Sequence, residues 1–222
     1  MFLIARGLRD ATYGNYICHS FQGGSWADRS PLHEAAFQGQ LLTLKTLVAQ
    51  GFNVNIVTID RVSALHEACL GGHVACAKVL LEHGARVNAA TLDGITPLFN
   101  ACYSGSAACV NILLEYGARP QLENHYASPI HEAVKRGHRE CMEVLLANDV
   151  DLDQEHSQLG TPLYVACMNQ RTECVKKLLE LGPPRLSQLC RLCIRKCLGR
   201  SCLHVVHKLH LPERLENFLL FR

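Results

Sequence analysis

The chain has 222 residues, of which 48% are hydrophobic and 19% are charged, and its formal net charge is +2 at pH 7. This composition excludes a disordered chain and suits one elongated folded domain with an appendage. No apolar run approaches the ~20 residues of a membrane helix, and the apolar start at residues 1–5 is too short, before Arg6 and Arg9, for a signal peptide. We therefore expect no membrane association and a cytoplasmic or nuclear location.

Residues 1–27 show no internal periodicity and contain Gly14, Gly23 and Gly24. We treat them as a leader whose structure the sequence does not determine. Order is predicted to begin near Asp28.

A hydroxyl residue recurs in five successive segments, at spacings of 33, 33, 32 and 33 residues. These residues are Ser30, Ser63, Thr96, Ser128 and Thr161. Each is followed two residues later by Leu or Ile, and four are followed directly by Pro. Ser and Thr cap helix N-termini, and Pro is tolerated at the first helical position, so five short helices are predicted to begin after these hydroxyls.

Each predicted helix is followed by a second one across a tight turn. The first helices end at Gly39, Gly72, Gly105 and Gly137, with Gln170 in the fifth copy. The second helices end before Gly51, Gly84, Gly117 and Gly182, with Asp149 in the fourth copy. Glycine suits these positions because it adopts positive φ without strain. The unit of helix, turn, helix and long loop, with its Ser/Thr-Pro-Leu-His and Gly-Ala-x-Val-Asn signatures, resembles the ankyrin repeat.

Seven of the twelve cysteines follow the repeat phase. They are Cys69, Cys102 and Cys167 late in the first helix, and Cys76, Cys109, Cys141 and Cys174 early in the second. A residue type that follows the repeat fills one small packing position in successive copies. We expect these thiols to be reduced and buried, as in a reducing compartment.

Three histidines also share one repeat position, three residues after the predicted N-cap. They are His33, His66 and His131, and Phe99 and Tyr164 replace them in copies three and five. We expect them to bond loop backbone of the neighbouring repeat rather than to act in catalysis.

The resemblance implies that the first helix of each repeat lines a concave face that binds partners. The late position on this helix holds Phe37, Leu70, Tyr103, Lys135 and Met168, and we predict that these residues contact a target protein. Loop-tip residues would extend the same surface, namely Arg29, Asp60, Asp93, His125 and Tyr126. The alternative is that the five helix residues only pack against adjacent loops.

The repeats and the tail differ in charge. Residues 28–182 hold 12 Lys and Arg against 17 Asp and Glu, net −5, whereas residues 183–222 hold 8 against 2, net +6. Pro183 and Pro184 interrupt the fifth repeat, so we expect the tail to cap the stack. Apolar residues spaced alternately by three and one over 186–198 predict an amphipathic helix, followed by two shorter helices over 202–208 and from 211 onward.

Two interpretations of the tail compete. Zinc ligand types occur at Cys190, Cys193, Cys197, Cys202, His204, His207 and His210. Against zinc, the first three cysteines already belong to the apolar stripe of the predicted helix, and no Gly-containing knuckle separates the first pair. We expect no metal and no other cofactor, with zinc kept as the alternative.

The tail also resembles a SOCS box. The elongin-binding part of that motif has a Leu, a Cys four residues later and an aliphatic residue four further on, matched here by Leu186, Cys190 and Ile194, with Leu189 on the same helix. Such spacing suits a helix that lies in a partner's groove. Downstream, Leu211, Pro212, Leu215 and Phe218 are similar to the cullin 5 box.

Repeats followed by such a tail are similar to the ankyrin repeat and SOCS box family. The resemblance implies an all-α fold: an ankyrin solenoid of about five helix-turn-helix repeats over 28–182, then a small three-helix SOCS box over 183–222. It also implies the substrate-recognition subunit of a ubiquitin ligase, with elongin B, elongin C, cullin 5 with its RING-box protein, and a target of unknown identity as partners.

No nucleophile and base pair or Gly-rich phosphate loop is evident in the sequence, so no catalytic residue is predicted. Two alternatives to the ligase subunit stay open. One is an ankyrin adaptor whose tail only caps the stack, and the other is a zinc-bearing module that binds nucleic acid through the basic tail, although we expect no nucleic acid.

Overall fold

The computed structural model describes residues 28–121, 128–148, 150 and 159–181. Within these ranges the chain forms ten helices, arranged as five consecutive pairs. They are α1 (Pro31–Phe37), α2 (Leu41–Ala49), α3 (Ala64–Leu70), α4 (Val74–Glu82), α5 (Pro97–Ser104), α6 (Ala107–Glu115), α7 (Pro129–Arg136), α8 (Arg139–Leu146), α9 (Pro162–Met168) and α10 (Thr172–Leu181). The odd-numbered helices stack on one another, and so do the even-numbered ones. The fold is the predicted ankyrin solenoid.

The five predicted helix starts are confirmed. Helices α1, α3, α5, α7 and α9 each begin directly after the predicted hydroxyl, which has extended backbone. The hydroxyls of Thr96 and Thr161 accept hydrogen bonds from the backbone N–H of Phe99 and Tyr164, both at 3.3 Å. Each bond satisfies an N–H group that the first turn of a helix leaves without a partner.

The tight turns between paired helices also have the predicted geometry. Gly39, Gly72, Gly105 and Gly137 have φ between 68° and 83°. In the fifth copy Gln170 adopts φ 56° without the freedom of glycine, a conformation that costs an ordinary residue about 1–2 kcal/mol. Gly51, Gly84 and Gly117 also have positive φ after the second helix. The predictions for Asp149 and Gly182 lie outside the described residues.

The core is built from residues that repeat in phase. The apolar residue one position after each helix start is buried in all five copies, namely Leu32, Leu65, Leu98, Ile130 and Leu163. Small residues such as Ala35, Ala68 and Ala101 let neighbouring inner helices approach closely. Each repeat therefore covers the apolar face of the next, as expected of a solenoid.

The in-phase histidines join neighbouring repeats, as predicted. Their Nε2 atoms donate to a carbonyl oxygen in the next loop: His33 to Val62 at 3.0 Å, His66 to Ile95 at 3.1 Å and His131 to Gly160 at 2.9 Å. Nδ1 of His66 accepts from the backbone N–H of Ser63 at 3.2 Å. One ring nitrogen donates and the other accepts, so His66 is neutral.

A second set of bonds between repeats was not predicted from the sequence. Asn55 donates from Nδ2 to Gly84 O at 2.9 Å, and its Oδ1 accepts from the Arg86 N–H at 2.8 Å. Asn88 makes the same pair of bonds one repeat later, to Gly117 O and from the Arg119 N–H. The Asn of the Val-Asn signature thus fixes the distance between consecutive loops.

All seven in-phase cysteines are buried and have free thiols. Burial raises the pKa of most of these thiols, for Cys141 to about 11, and so favours the neutral form. A hydrogen bond from Cys69 lowers the pKa of the Cys109 thiol to about 7. Cys69, late in the first helix of repeat two, therefore contacts Cys109, early in the second helix of repeat three. This contact explains why both positions favour a small side chain.

Replacing Cys109 tests this packing. Cys109→Ala is expected to lower the free energy of unfolding by about 1 kcal/mol, because a small buried group is lost. Cys109→Asp should cost several times more, because it buries a charge without a partner. Urea unfolding followed by circular dichroism measures both. Alkylation and mass spectrometry of the native protein should find free thiols, and disulfides at these positions would contradict the expected reducing compartment.

Candidate partner-binding surface

The five residues predicted to contact a target lie at the ends of the inner helices, one per repeat. Phe37, Leu70, Tyr103 and Lys135 are partly exposed, and Met168 is 50% exposed. We call these five residues the stripe. The repeat geometry brings them onto one side of the stack, because the inner helices pack side by side.

Phe37 is covered by the chain's own arginine. The guanidinium carbon of Arg29 lies 5.4 Å from the centre of the Phe37 ring. Nη2 of the same arginine forms an ion pair with Oε1 of Glu67, which is buried on α3 of the next repeat. The cation thus lies against an aromatic ring of repeat one and a carboxylate of repeat two.

Tyr103 has an equivalent arrangement two repeats later. The guanidinium carbon of Arg136 lies 3.4 Å from the centre of the Tyr103 ring, and its Nε donates to Oε1 of buried Glu132 at 2.7 Å. Glu67 and Glu132 occupy the same position in their repeats. Both aromatic residues of the stripe therefore contact an intramolecular arginine, so part of the stripe packs within the chain, as the alternative interpretation held.

Of the remaining stripe residues, Met168 is exposed, and Leu70 and Lys135 are partly exposed. Leu70 lies between the two arginine sites. In repeat three, Asn100 occupies the position that Glu67 and Glu132 have in their repeats, and its Nδ2 donates to His66 O at 3.1 Å. The backbone carbonyl of Lys135 accepts from Nε of Arg171 at 2.9 Å. Met168 is the most exposed member and lies at the end of α9. Contact of these residues with a target stays a prediction.

Two of the three most exposed large apolar side chains of the described residues are on loop tips, and they were not predicted from the sequence. Ile59 is 74% exposed and Leu92 is 64% exposed. Each directly precedes one of the predicted loop-tip aspartates, Asp60 and Asp93. Their 33-residue separation was visible in the sequence and could have revealed them. His125 and Tyr126 lie outside the described residues.

Two buried side chains next to each other on α3 have opposite pKa shifts. Burial lowers the pKa of His66 from 6.5 to about 4. Burial raises the pKa of the Glu67 carboxyl from 4.5 to about 7, although Arg29 acts in the opposite direction. Oε2 of Glu67 is buried and has no hydrogen-bond partner among the described residues, which fits a carboxyl that protonates readily.

The residues predicted to bind elongin and cullin lie outside the described part of the chain. They are Leu186, Leu189, Cys190, Ile194, Leu211, Pro212, Leu215 and Phe218. The candidate zinc ligands of the tail lie there too. Over the residues that the structure does describe, no three His, Cys, Asp or Glu side chains are grouped to hold a metal ion. No helix in this part of the chain is long and apolar enough to cross a membrane.

Comparison with known proteins identifies both parts of the chain. Residues 32–124 and 120–187 match the family model of ankyrin repeats in three copies, and residues 182–220 match that of the SOCS box. Human ankyrin repeat and SOCS box protein 11 is 60% identical, covering 93% of this chain and 84% of the relative. Mouse ankyrin repeat and SOCS box protein 5 is 52% identical, covering 90% and 80%.

A solved structure supports the fold. The crystal structure of the human ASB11 ankyrin repeat domain matches with a TM-score of 0.70 at 58% identity, covering 87% of this chain and 97% of that one. The alignment with human protein 11 spans 273 positions, whereas 93% of this chain is about 206 residues. The relative thus has about 67 more residues within the matched span, close to two repeats.

Ankyrin repeats followed by a SOCS box define a class of substrate adaptors of ubiquitin ligases. The chain belongs to the ankyrin repeat and SOCS box family. Membership implies a substrate receptor rather than a catalytic subunit.

The two pKa shifts on α3 predict opposite responses to acid. His66 has a lowered pKa in the folded chain, so its contribution to stability is present above pH 6.5 and is lost as the pH falls toward 4. Glu67 has a raised pKa, so its contribution is present below pH 4.5 and is lost as the pH rises through 7. Between pH 7 and 4.5 the two effects oppose each other.

Glu67→Gln removes the pH dependence of stability that comes from the Glu67 carboxyl and leaves that of His66. From pH 7 to 4.5, the free energy of unfolding of this variant is expected to fall by about 3 kcal/mol more than that of the wild type, the equivalent of the carboxyl's shift. Urea unfolding at several pH values measures the difference. Glu82→Gln, on the exposed side of α4, is the matched control and should follow the wild type. Parallel curves for the wild type and Glu67→Gln would contradict the raised pKa.

Proposed function

We propose that the chain is the substrate-recognition subunit of an elongin B/C and cullin 5 ubiquitin ligase. The observation that carries this proposal is the order of the two matched regions: a stack that presents a surface, followed directly by a SOCS box. We assign residues 1–27 to a leader, 28–182 to the repeats and 183–222 to the SOCS box. The complex acts in the cytoplasm or nucleus.

Elongin C binds the first helix of the SOCS box through one apolar ridge. Leu186, Cys190 and Ile194 are spaced by four residues, a spacing that predicts one side of a helix, and Leu189 belongs to the same predicted helix. The small Cys190 lets the helix approach closely, as in other complexes in which a helix fills a groove. Elongin B joins through elongin C.

Cullin 5 and its RING-box protein bind further along the tail. Leu211 and Pro212 begin the segment, and Leu215 and Phe218 follow with helical spacing. The basic charge of residues 183–222, net +6, separates this module from the acidic repeats and suits an acidic partner surface.

The repeats hold the target protein, and the ligase does its chemistry elsewhere. The stripe, Phe37, Leu70, Tyr103, Lys135 and Met168, is the contact surface. Holding the target and the ubiquitin donor in one assembly raises the effective concentration of the donor near the target's lysines. The adaptor thus contributes by proximity and orientation, without a catalytic side chain.

The elongin assignment predicts the effect of a double substitution. Leu186→Pro with Cys190→Phe should abolish copurification of elongin B/C, because a buried Leu alone contributes about 1.5–3 kcal/mol and the close fit at Cys190 is lost too. Together these losses weaken binding by about 4 kcal/mol, near a thousandfold. Target binding by the repeats should persist. Copurification and a reconstituted ubiquitination assay measure the result.

Outcomes of the same experiment separate the alternatives. Cys193→Ser is the matched control and should keep elongin B/C, whereas a zinc site would make Cys193 as important as Cys190 and would release partners on addition of a chelator. Retention of elongins by the double variant would overturn the assignment to Leu186 and Cys190, whereas absence of elongins from the wild-type complex would show that the tail only caps the stack.

The stripe makes a separate prediction. Tyr103→Glu with Met168→Glu should abolish target capture while leaving the fold intact, because both side chains are at least partly exposed. The experiment compares, between wild type and variant, which ubiquitinated peptides in cells depend on the protein. Leu42→Glu, on the outer helix α2, is the control. An unchanged set of peptides would show that the target binds elsewhere.

A further inference from the structure

Two exposed arginines at the turn of repeat four are each held through Nε. Arg136 ends α7, and its Nε donates to Oε1 of buried Glu132 at 2.7 Å. Arg171 directly precedes α10, and its Nε donates to the backbone carbonyl of Lys135 at 2.9 Å. Within the described residues, neither guanidinium makes another hydrogen bond or ion pair. The terminal nitrogens, Nη1 and Nη2 of both residues, therefore keep their N–H donors for a partner.

The side chain of Arg171 lies across the turn of the preceding repeat. A Cβ atom on Gly137 would be 2.9 Å from Cδ of Arg171 and 3.3 Å from its Nε. The equivalent residues of repeats two to four, which lie over the preceding glycine in the same way, are His73, Ser106 and His138. Repeat five thus places a permanent cation where the earlier repeats have a hydroxyl or an imidazole.

The guanidinium of Arg136 is fixed on one face and one edge. Its central carbon lies 3.4 Å from the centre of the Tyr103 ring, and the bond to Glu132 holds the Nε edge. The Arg136 side chain is still 37% exposed. A partner therefore meets a cation that is already oriented, and little side-chain entropy remains to be lost on binding.

Other arginines of the repeats are engaged differently. Arg29, which covers Phe37 in repeat one, forms an ion pair with Glu67 and is only 10% exposed. Arg139, on the outer helix α8, pairs with two glutamates. Arg171, in contrast, is exposed and has only a backbone carbonyl as its partner within the described residues. The turn of repeat four is therefore the place where anchored guanidinium groups face solvent.

The charge of this surface is positive. Lys135 adds a third cation to the same turn, and the carboxylate that accompanies Arg136, that of Glu132, is only 5% exposed. An acidic partner is therefore favoured here, although the repeats as a whole are acidic, because screening limits the field of distant charges to about 10 Å. The planar fork of a guanidinium matches the two oxygens of a carboxylate.

The anchors of the two arginines favour several carboxylates over a single phosphate group. Each side chain reaches back by one repeat: Arg136 lies on Tyr103 of repeat three, whereas Arg171 lies on the turn of repeat four. The guanidinium groups thus follow one another along the stack and are not gathered around one point. Acidic side chains along a peptide segment meet cations arranged in this way.

We propose that Arg136 and Arg171 bind an acidic segment of the target protein, each guanidinium pairing with an Asp or Glu carboxylate through its terminal nitrogens. This inference rests on the proposed function and specifies the chemistry of the segment that the stripe recognises. Arg136 makes the contact in place of the Tyr103 ring that it covers.

The test uses the full chain purified with elongin B/C and fluorescein-labelled peptides as probes. The peptides share one Gly and Ser background and differ at four central positions, which are all Glu, all Gln or all Lys. A fourth peptide has a single phosphoserine there. Fluorescence anisotropy at low salt should show that the Glu peptide binds at least about tenfold more tightly than the Gln and Lys peptides. Rising salt should weaken this binding.

Variants assign the contact to the two arginines. Arg136→Gln with Arg171→Gln should weaken binding of the Glu peptide at least about tenfold. The matched control is Arg86→Gln with Arg119→Gln, which removes the same charge from two exposed arginines elsewhere on the repeats and should keep binding.

A single substitution guards against misfolding. Arg136→Gln leaves buried Glu132 without its cation, whereas Arg171→Gln removes only a bond to a backbone carbonyl. Arg171→Gln alone should therefore keep the circular dichroism spectrum and melting temperature of the wild type and still weaken binding of the Glu peptide about threefold.

Equal binding of the Glu and Gln peptides, or an equal loss in the control variant, would overturn the inference. Tighter binding of the phosphoserine peptide would overturn the choice of carboxylates. Copurified elongin B/C reports separately on the proposed function: absence of elongins would refute the ligase assignment, while peptide binding by the same full chain still decides whether the two arginines form an acid-binding surface.

Discussion

The fold depends on the bond between each in-phase histidine and the loop of the following repeat. His33, His66 and His131 each reach a carbonyl oxygen 29 residues further along the chain. A single helix pair is too small to bury its own apolar face, so stability comes from contacts between neighbours. In these three repeats the histidine holds the start of an inner helix and the next loop in one geometry, and that geometry positions the side chains of the inner helix.

The concave side is shaped as much by internal charge pairs as by apolar residues. Arg29 and Arg136 each lie between an aromatic ring of one repeat and a buried glutamate of the next. The Arg29–Glu67 ion pair and the contact of Arg136 with the Tyr103 ring join neighbouring repeats, and both guanidinium groups cover rings that were predicted to be open contact residues. This side of the stack therefore presents guanidinium groups and exposed Met168 rather than a continuous apolar line.

Much of the fold could be predicted from the sequence because its determinants are local and repeat. A hydroxyl before Pro fixes a helix start, and glycine at positive φ fixes a turn, whatever the surroundings. The cover over Phe37 could not be predicted, because Arg29 and Glu67 are 38 residues apart and meet only after repeats stack. The exposure of Leu92 was missed for a related reason: burial of a loop leucine depends on the path of the neighbouring loop.

The asparagine bonds between loops have a consequence for how such proteins change in evolution. Asn55 and Asn88 contact the next repeat with the same atoms at nearly the same distances. Any two repeats with this signature therefore have interchangeable junctions. Loss or gain of whole repeats joins surfaces that already fit, whereas a change of part of a repeat does not. This modularity lets members of one family differ in the length of their binding surface while the same tail follows it.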